Sequence, residues 1–256
     1  MKTAIFITAR LGSTRLKRKH LLKVNGKPIL EYQLGRIRRE FARELGNQDA
    51  VLAIVTSDEP ENKDLEQVTG DDATLFSGST HNIPLRHLQA AHHSGVDAIV
   101  SIDGDDLLCS PRGIRSVFDS LRAGSKYAKT VGLPFGMNSF GYTASFLQAC
   151  LSGRESDVLE TGWGRIFESA APLIKEFAPV VDQDLLRFTL DYSQDFDFFR
   201  AVISALGDRA YVATDEEIIK LVVSQRLFLI NADLHAEYWR EFHGNVDKET
   251  VASLRR

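Results

Sequence analysis

The run Lys2-Thr-Ala-Ile-Phe-Ile-Thr8 leads without a break into Ala9-Arg-Leu-Gly-Ser-Thr-Arg-Leu-Lys-Arg-Lys19-His-Leu-Leu. The first part is β-branched, aromatic and of strand length, the signature of a short buried strand. The second part cannot continue it. Gly12, Ser13 and Thr14 are small, and Arg10, Arg15, Lys17, Arg18 and Lys19 are cationic. Small residues let backbone N–H groups approach an anion, and Arg and Lys neutralise it. The junction therefore suits a polyphosphate. It is neither a dinucleotide fingerprint, because no Gly-x-Gly-x-x-Gly follows the strand, nor a Walker loop, because Gly-Lys-Ser/Thr is absent.

Downstream, apolar strands alternate with helical patterns. Helices are expected from Pro28 to a Gly46 C-cap, over Glu61–Thr69 and Ile83–His93, and from a Ser110 cap with Pro111 at the first position. Strands are expected at Ala50–Thr56, Ala73–Phe76, Ala98–Ile102 and Tyr127–Leu133. That alternation argues for a mostly parallel sheet covered on both faces, an α/β fold. After Pro134 the rhythm loosens. Gly136–Gly141 is expected to be a loop before a helix ending near Leu151, and Leu173–Val180 and Leu186–Leu190 to be strands. Helices follow from Ser193 and from a Thr214/Glu217 capping box, and from Leu227 a strand or helix docks on the body. No internal repeat or linker interrupts the 256 residues, so one domain, 1–256, is expected.

A net charge of −4 gives no global basic excess, so nucleic acid is not an expected partner. No run reaches membrane-spanning length. Cys109 and Cys150 form neither a metal pattern nor a disulfide framework, which fits a reducing, cytoplasmic location.

In open parallel sheets ligands bind beyond the carboxyl ends of the strands. Four polar clusters fall there: Arg10–Lys19, Thr56–Glu59, Ser77–Thr80 and Asp103–Asp106. Asp103-Gly-Asp105-Asp106 is a plausible Mg²⁺ site, since that ion takes one or two carboxylates and completes its shell with water and phosphates. Read alone, Asp191 and Ser193 form a helix N-terminal cap region. His20 reads as packing at a helix start, and His92 and His93, being adjacent, do not share a helix face.

The opening Ala9–Leu16, with Lys19 and Gly26-Lys-Pro-Ile-Leu30, resembles the cytidylyltransferases that make CMP-activated acidic sugars, the CMP-Kdo synthetase-like and spore-coat SpsF-like branches. Lys17-Arg18 stands where many members have Pro-Gly. The resemblance implies a Rossmann-like, GT-A-like nucleotide-diphospho-sugar transferase sheet. It matches Asp105 to the family's Gly-Asp-Glu-Pro-Leu metal ligand, although Asp106 and Leu107 depart from that motif. It also carries the second metal ligand onto Asp191, through Arg187-Phe-Thr-Leu-Asp191. The implied reaction is attack by an acidic sugar hydroxyl on the α-phosphate of CTP, with Mg²⁺ as cofactor and pyrophosphate leaving. The implied nucleotide site comprises Ala9, Arg10, Leu11, Gly12, Ser13, Arg15 and Lys19, with Thr56, Asp58, Ser77 and Gly78 near base or ribose. Arg86 is the arginine kept from the SpsF-like Asp-Asp-Val-Leu-x-Arg run. Arg10, Arg15, Lys19, Asp105 and Asp191 would carry catalysis. Where relatives shape the sugar pocket and dimer contact, an excursion over 136–174 is expected. It supplies Asn138, Ser139, Tyr142, Trp163 and Arg165, with Arg187 beyond it, for sugar recognition. Arg165 would face a substrate carboxylate, and Trp163 reads equally well as core or interface. A homodimer is implied. Rival readings are a nucleotidyltransferase with another base or acceptor, a glycosyltransferase on the same sheet, and a nucleotide-binding module without catalysis.

Overall fold

The computed structural model describes residues 1–178 and 186–254. The chain runs β1 (Thr3–Thr8), a small hairpin of β2 (Lys23–Val24) and β3 (Lys27–Pro28), then α1 (Leu30–Glu40), α2 (Ala42–Gly46), β4 (Ala50–Ser57), α3 (Glu66–Thr69) and β5 (Ala73–Gly78). It continues α4 (Ile83–Ser94), β6 (Ala98–Asp103), α5 (Pro111–Arg122), β7 (Tyr127–Val131), β8 (Phe140–Thr143), α6 (Ala144–Leu151) and β9 (Leu173–Glu176). Helices α7 (Ser193–Leu206), α8 (Asp215–Ser224) and α9 (Leu234–Leu254) close it.

Seven strands form one sheet in the order β5-β4-β1-β6-β8-β7-β9, in which β8 runs against both neighbours and the other pairings are parallel. β1 lies inside the sheet because it is apolar on both faces. Ile5 and Ile7 pack into one core with Leu34 of α1 and Phe118 of α5, while Ala4 and Phe6 pack into the other with Ala91 of α4 and Leu147 of α6. Such a doubly covered strand requires a continuous hydrophobic run. Burying each of Ile5, Phe6 and Ile7 contributes about 1.5–3 kcal/mol. The chain winds outward from β1 through β4 to β5, then returns to place β6 on the other side of β1. That reversal makes the β1/β6 boundary the switch point where a crevice opens.

Several expected boundaries differ. Pro28 ends the two-residue strand β3 and α1 begins at Leu30. Gly46 is the last residue of α2 and not a left-handed cap; the left-handed residue is Gln48, φ 61°. The loop expected over Gly136–Gly141 gives way at Phe140 to β8, inserted between β6 and β7. Gly141 permits this, since a Cβ there would lie 2.6 Å from the Ile99 carbonyl and 2.8 Å from Val117. A four-residue, glycine-interrupted strand carries little sequence signal. Leu186–Leu190 forms no strand, and among the described residues it makes a single bridge, Phe135 to Arg187. The strand expected at Leu173–Val180 ends at Glu176, and its last two positions lie outside the described residues. The C-terminal stretch is helix α9. Of the expected 136–174 excursion, β8, α6 and the start of β9 belong to the main body.

Candidate active site

A cleft of about 850 Å³ lies over the ends of β1 and β6. Its floor is Thr8–Arg10, Gly12–Arg15, Lys19, His20, Asp103, Asp105 and Asp191, and its opposite wall is α9. Thr8 and Asp103 are register partners at the adjacent strand ends, so the first loop and the acidic turn arise side by side. Gly104 lets them meet: its N–H donates to the Thr8 carbonyl at 2.8 Å, and a Cβ there would stand 2.8 Å from the Ala9 Cβ and 3.1 Å from His20 Nε2.

Asp191 arrives from the far half of the chain. Leu190 N–H donates to the Asp105 carbonyl at 2.9 Å, and Phe188 N–H to the Phe135 carbonyl at 2.8 Å. The capping role expected for Asp191 belongs instead to Asp195, whose Oδ2 accepts from the N–H groups of Asp191 and Tyr192 at 2.9 and 3.0 Å. The Asp191 carboxylate is thereby left to the cleft.

Lys19 is buried, and its Nζ lies 2.7 Å from Asp105 Oδ2 and 3.6 Å from Asp191 Oδ1. One cation thus bridges two carboxylates. Arg15 reaches Asp191 Oδ1 at 2.6 Å and Glu241 of α9 at 3.1 Å, with its guanidinium over the Tyr192 ring. Arg187 holds Asp191 Oδ2 at 2.8 Å from behind. His20 joins this network rather than merely packing: its Nε2 is 2.9 Å from Asp105 Oδ1 and its Nδ1 is 3.1 Å from the Arg10 carbonyl.

The carboxylates are pulled in different directions. Burial opposes ionisation of Asp105, but Lys19 and His20 outweigh it and hold its carboxyl far below the usual range. Asp191 is held above its usual range by burial and by Asp105, against the opposing pull of Lys19, Arg15 and Arg187. The surrounding protein, with Asp105 and Asp191, also holds Asp103 high, although its side chain opens to the cleft.

The other residues singled out in the sequence divide. Ala9, Arg10, Gly12, Ser13, Arg86 and Trp163 line the cleft. Arg10 pairs with Glu160 at 2.6 Å, while Arg86 is buried and donates to the carbonyls of Ser79 and Thr80. Leu11 is core, and its N–H is already taken by Asn62 Oδ1 at 2.7 Å. Thr56, Asp58, Ser77 and Gly78 do not line the cleft. β4 and β5 pair beyond the end of β1, Thr56 with Ser77, and so carry that cluster toward the sheet edge. Asn138 and Ser139 fold onto their own strand pair through Thr130 and Leu133. Tyr142 is core, its hydroxyl 2.6 Å from His87 Nδ1. Trp163 packs on His87 and Phe140 at the cleft edge. Arg165 is spent on the carbonyls of Thr161 and Val158 and on Glu249 at 3.3 Å. Arg187 is buried between Asp191 and Asp195.

The residues missed in the sequence are Glu160 and the α9 wall of Tyr238, Arg240, Glu241, Gly244 and Lys248, while His20 was read as packing. Asp103 was singled out with Asp105 in the acidic turn, and it lines the cleft.

A mostly parallel sheet with a loop of small residues and cations beside paired carboxylates at its switch point is the arrangement of a nucleotidyltransferase, and the family match bears that class out. A family model described as cytidylyltransferase matches residues 4–151, more than half of the chain. The chain belongs to the cytidylyltransferase family and is a nucleotidyltransferase. It is 29% identical over 205 residues to an uncharacterized protein of Methanocaldococcus jannaschii, covering 78% of this chain and 82% of that one. It is 32% identical over 114 residues to the 3-deoxy-manno-octulosonate cytidylyltransferase of Pelodictyon phaeoclathratiforme. That match spans 44% of this chain and 43% of the enzyme, less than half of its length. A cytidylyltransferase from Leptospira borgpetersenii superposes with a TM-score of 0.72 at 22% identity, over 90% of this chain and 98% of its own. CMP:2-keto-3-deoxy-manno-octonic acid synthetase, complexed with CTP, superposes with a TM-score of 0.60 at 18% identity, over 80% and 99%. At those identities the likeness is one of fold. Among the described residues, no helix is long and apolar enough to cross a membrane.

Proposed function

We propose that this chain transfers a cytidylyl group from CTP to a hydroxyl of an acidic sugar of the Kdo or nonulosonate type, for a surface polysaccharide or glycoconjugate. The observation that carries the reading is the bridging of Asp105 and Asp191 by one ammonium, beside a loop of small residues and cations. Support for CTP comes from the fold shared with a synthetase complexed with it, and for the acid from relatives named as acting on 3-deoxy-manno-octulosonate.

Ser13 and the cations Arg10, Arg15 and Lys19 hold the triphosphate. Asp105 and Asp191 suit Mg²⁺. No group of three or more His, Cys, Asp or Glu among the described residues could hold a metal. Two carboxylates already drawn to one cation match an ion that keeps water and phosphate in its remaining positions. When bound, the ion would supply charge neutralisation at the phosphates. The acceptor oxygen bonds to the α-phosphorus, the bond from that phosphorus to the β-phosphate oxygen breaks, and pyrophosphate departs. Asp103, open to the cleft, takes the hydroxyl proton in its ionised form, and a pKa raised to about 7 makes that carboxylate the stronger base. The edge strand β9 exposes Leu173 and Ile174, where a second copy would extend the sheet into a homodimer.

The test is pyrophosphate release with Mg²⁺ across four nucleoside triphosphates and three acceptor classes: Kdo, nonulosonates and simple sugar phosphates. Release is expected with CTP and an acidic sugar, and Asp105→Asn should lower it at least about a hundredfold. Release with a different triphosphate, or with sugar phosphates alone, overturns the reading.

A further inference from the structure

Helix α9 crosses the cleft like a strap. Glu241 meets Arg15 and Tyr192, Phe242 lies over Gly162, and Glu249 accepts from the Thr161 N–H at 2.7 Å. Ser253 Oγ accepts from the Val158 N–H at 3.0 Å. Three residues on its inner stripe, Arg240, Gly244 and Lys248, line the cleft. Their spacing of four and four places them on one side of the helix, with the outer two about 12 Å apart along the axis.

We propose that this stripe is the subsite for the acid group of the acceptor, with Arg240 and Lys248 converging on a carboxylate seated over Gly244. The proposal rests on the cytidylyl-transfer reading above.

Three observations carry it. First, the floor cations have other work. Arg10, Arg15 and Lys19 are assigned to the triphosphate and pair meanwhile with Glu160, Glu241, Asp105 and Asp191, and Arg86 is buried on two carbonyls. Second, Arg165 is turned away from the cleft by Glu249, so the arginine expected to meet a substrate carboxylate does not reach it. Arg240 and Lys248 face the same space, are exposed, and form no ion pair among the described residues. Third, Gly244 sits mid-helix, where glycine costs about 1 kcal/mol relative to alanine. Neither left-handed backbone nor crowding accounts for it: its φ is not positive, and nothing lies within 4 Å of where its Cβ would be. Its effect is to leave helix backbone bare between two cations, an opening for a ligand.

The test uses Arg240→Met, Lys248→Met and the double variant, which keep the apolar stems, with Kdo as probe. CTP affinity is measured by calorimetry, Kdo binding to the CTP-loaded protein by saturation-transfer NMR, and turnover by pyrophosphate release. Each single variant is expected to raise the Kdo KM about tenfold, and the double variant to abolish the NMR signal, with kcat within about threefold for the singles and CTP affinity within about twofold. If the wild type binds Kdo without turnover and the double variant loses that binding, the subsite stands and the reaction reading falls. If turnover is normal and the double variant keeps the wild-type KM, the reaction reading stands and the subsite falls. An equal loss of CTP affinity also overturns it, by placing the two cations on the triphosphate, and so does absence of Kdo binding to the wild type.

Discussion

Replacing Lys19 with methionine removes the cation between Asp105 and Asp191 while keeping the apolar stem. The lost contacts are 2.7 and 3.6 Å, and the lysine and Asp191 side chains are 7% and 5% exposed. Removing one partner of a buried ion pair costs about 3–5 kcal/mol. Asp105 is 28% exposed and keeps His20, which lowers the expectation to about 2–3 kcal/mol. For a chain of this size that is a fall in Tm of about 5–10 °C. Both carboxyls then lose their main source of stabilisation as anions, and their folded pKa values rise. The unfolded state is common to both proteins, so the deficit against wild type follows the difference between their folded carboxyl pKa values. It should be full near pH 8 and shrink as pH falls through the variant's raised values toward those of the wild type. Calorimetric melting at both ends of that range, with and without MgCl₂, reads it out. Mg²⁺ should restore part of the lost Tm at high pH, because the two carboxylates remain as its ligands. A deficit that neither shrinks in acid nor responds to Mg²⁺ would refute the shared cation seat and leave Lys19 a packing residue.

Two further outcomes follow from the layers beneath the cleft. Burial and Arg86 push His87 down to about 3, so stability is full above its unfolded pKa of about 6.5 and falls by up to about 1.4 kcal/mol per unit below it. His87→Gln should flatten that slope in urea denaturation between about pH 6 and pH 4, and equal slopes would show that the imidazole takes up its proton alike in the folded and unfolded states. Gly104→Ala drives a methyl group against Ala9, the Thr8 carbonyl and His20 at 2.8, 3.0 and 3.1 Å, and should cost about 1–3 kcal/mol with loss of the His20–Asp105 contact; unchanged stability would show that the acidic turn can shift freely.

Helix α9 changes how the site is understood. It contributes no residue to the two sheet cores, and it grips the body through Tyr238 and Trp239 against Phe135, Phe242 over Gly162, and polar contacts to Arg15, Tyr192, Thr161 and Val158. Glu241 occupies Arg15, a guanidinium that the proposed reaction assigns to phosphate. At 32% and 38% exposure that pair is worth only about 0–1 kcal/mol, so a triphosphate can displace it.

The sheet was legible from residues because its determinants are local. A fully apolar run such as Ile5–Ile7 has to be covered on both faces, and the Ser110/Pro111 start of α5 and the Thr214/Glu217 box of α8 are written in consecutive positions. The first loop and Asp105 were legible for the same reason: each sits directly after an apolar strand. β8 was not, because four residues punctuated by Gly141 acquire strand character only when β6 and β7 flank them. Thr56 and Ser77 show the converse: a polar strand end is local, but its distance from the cleft depends on strand order. What the residues alone determined is the strand–loop–helix alternation and an opening of small residues and cations at its first turn. What only tertiary structure decided is which distant groups meet that opening. Asp191 was brought in by a backbone bond to Asp105, Arg165 was withdrawn by Glu249, and α9 was laid across as the far wall. Each of those outcomes is a competition among partners far apart in the chain, settled by which pairings burial allows.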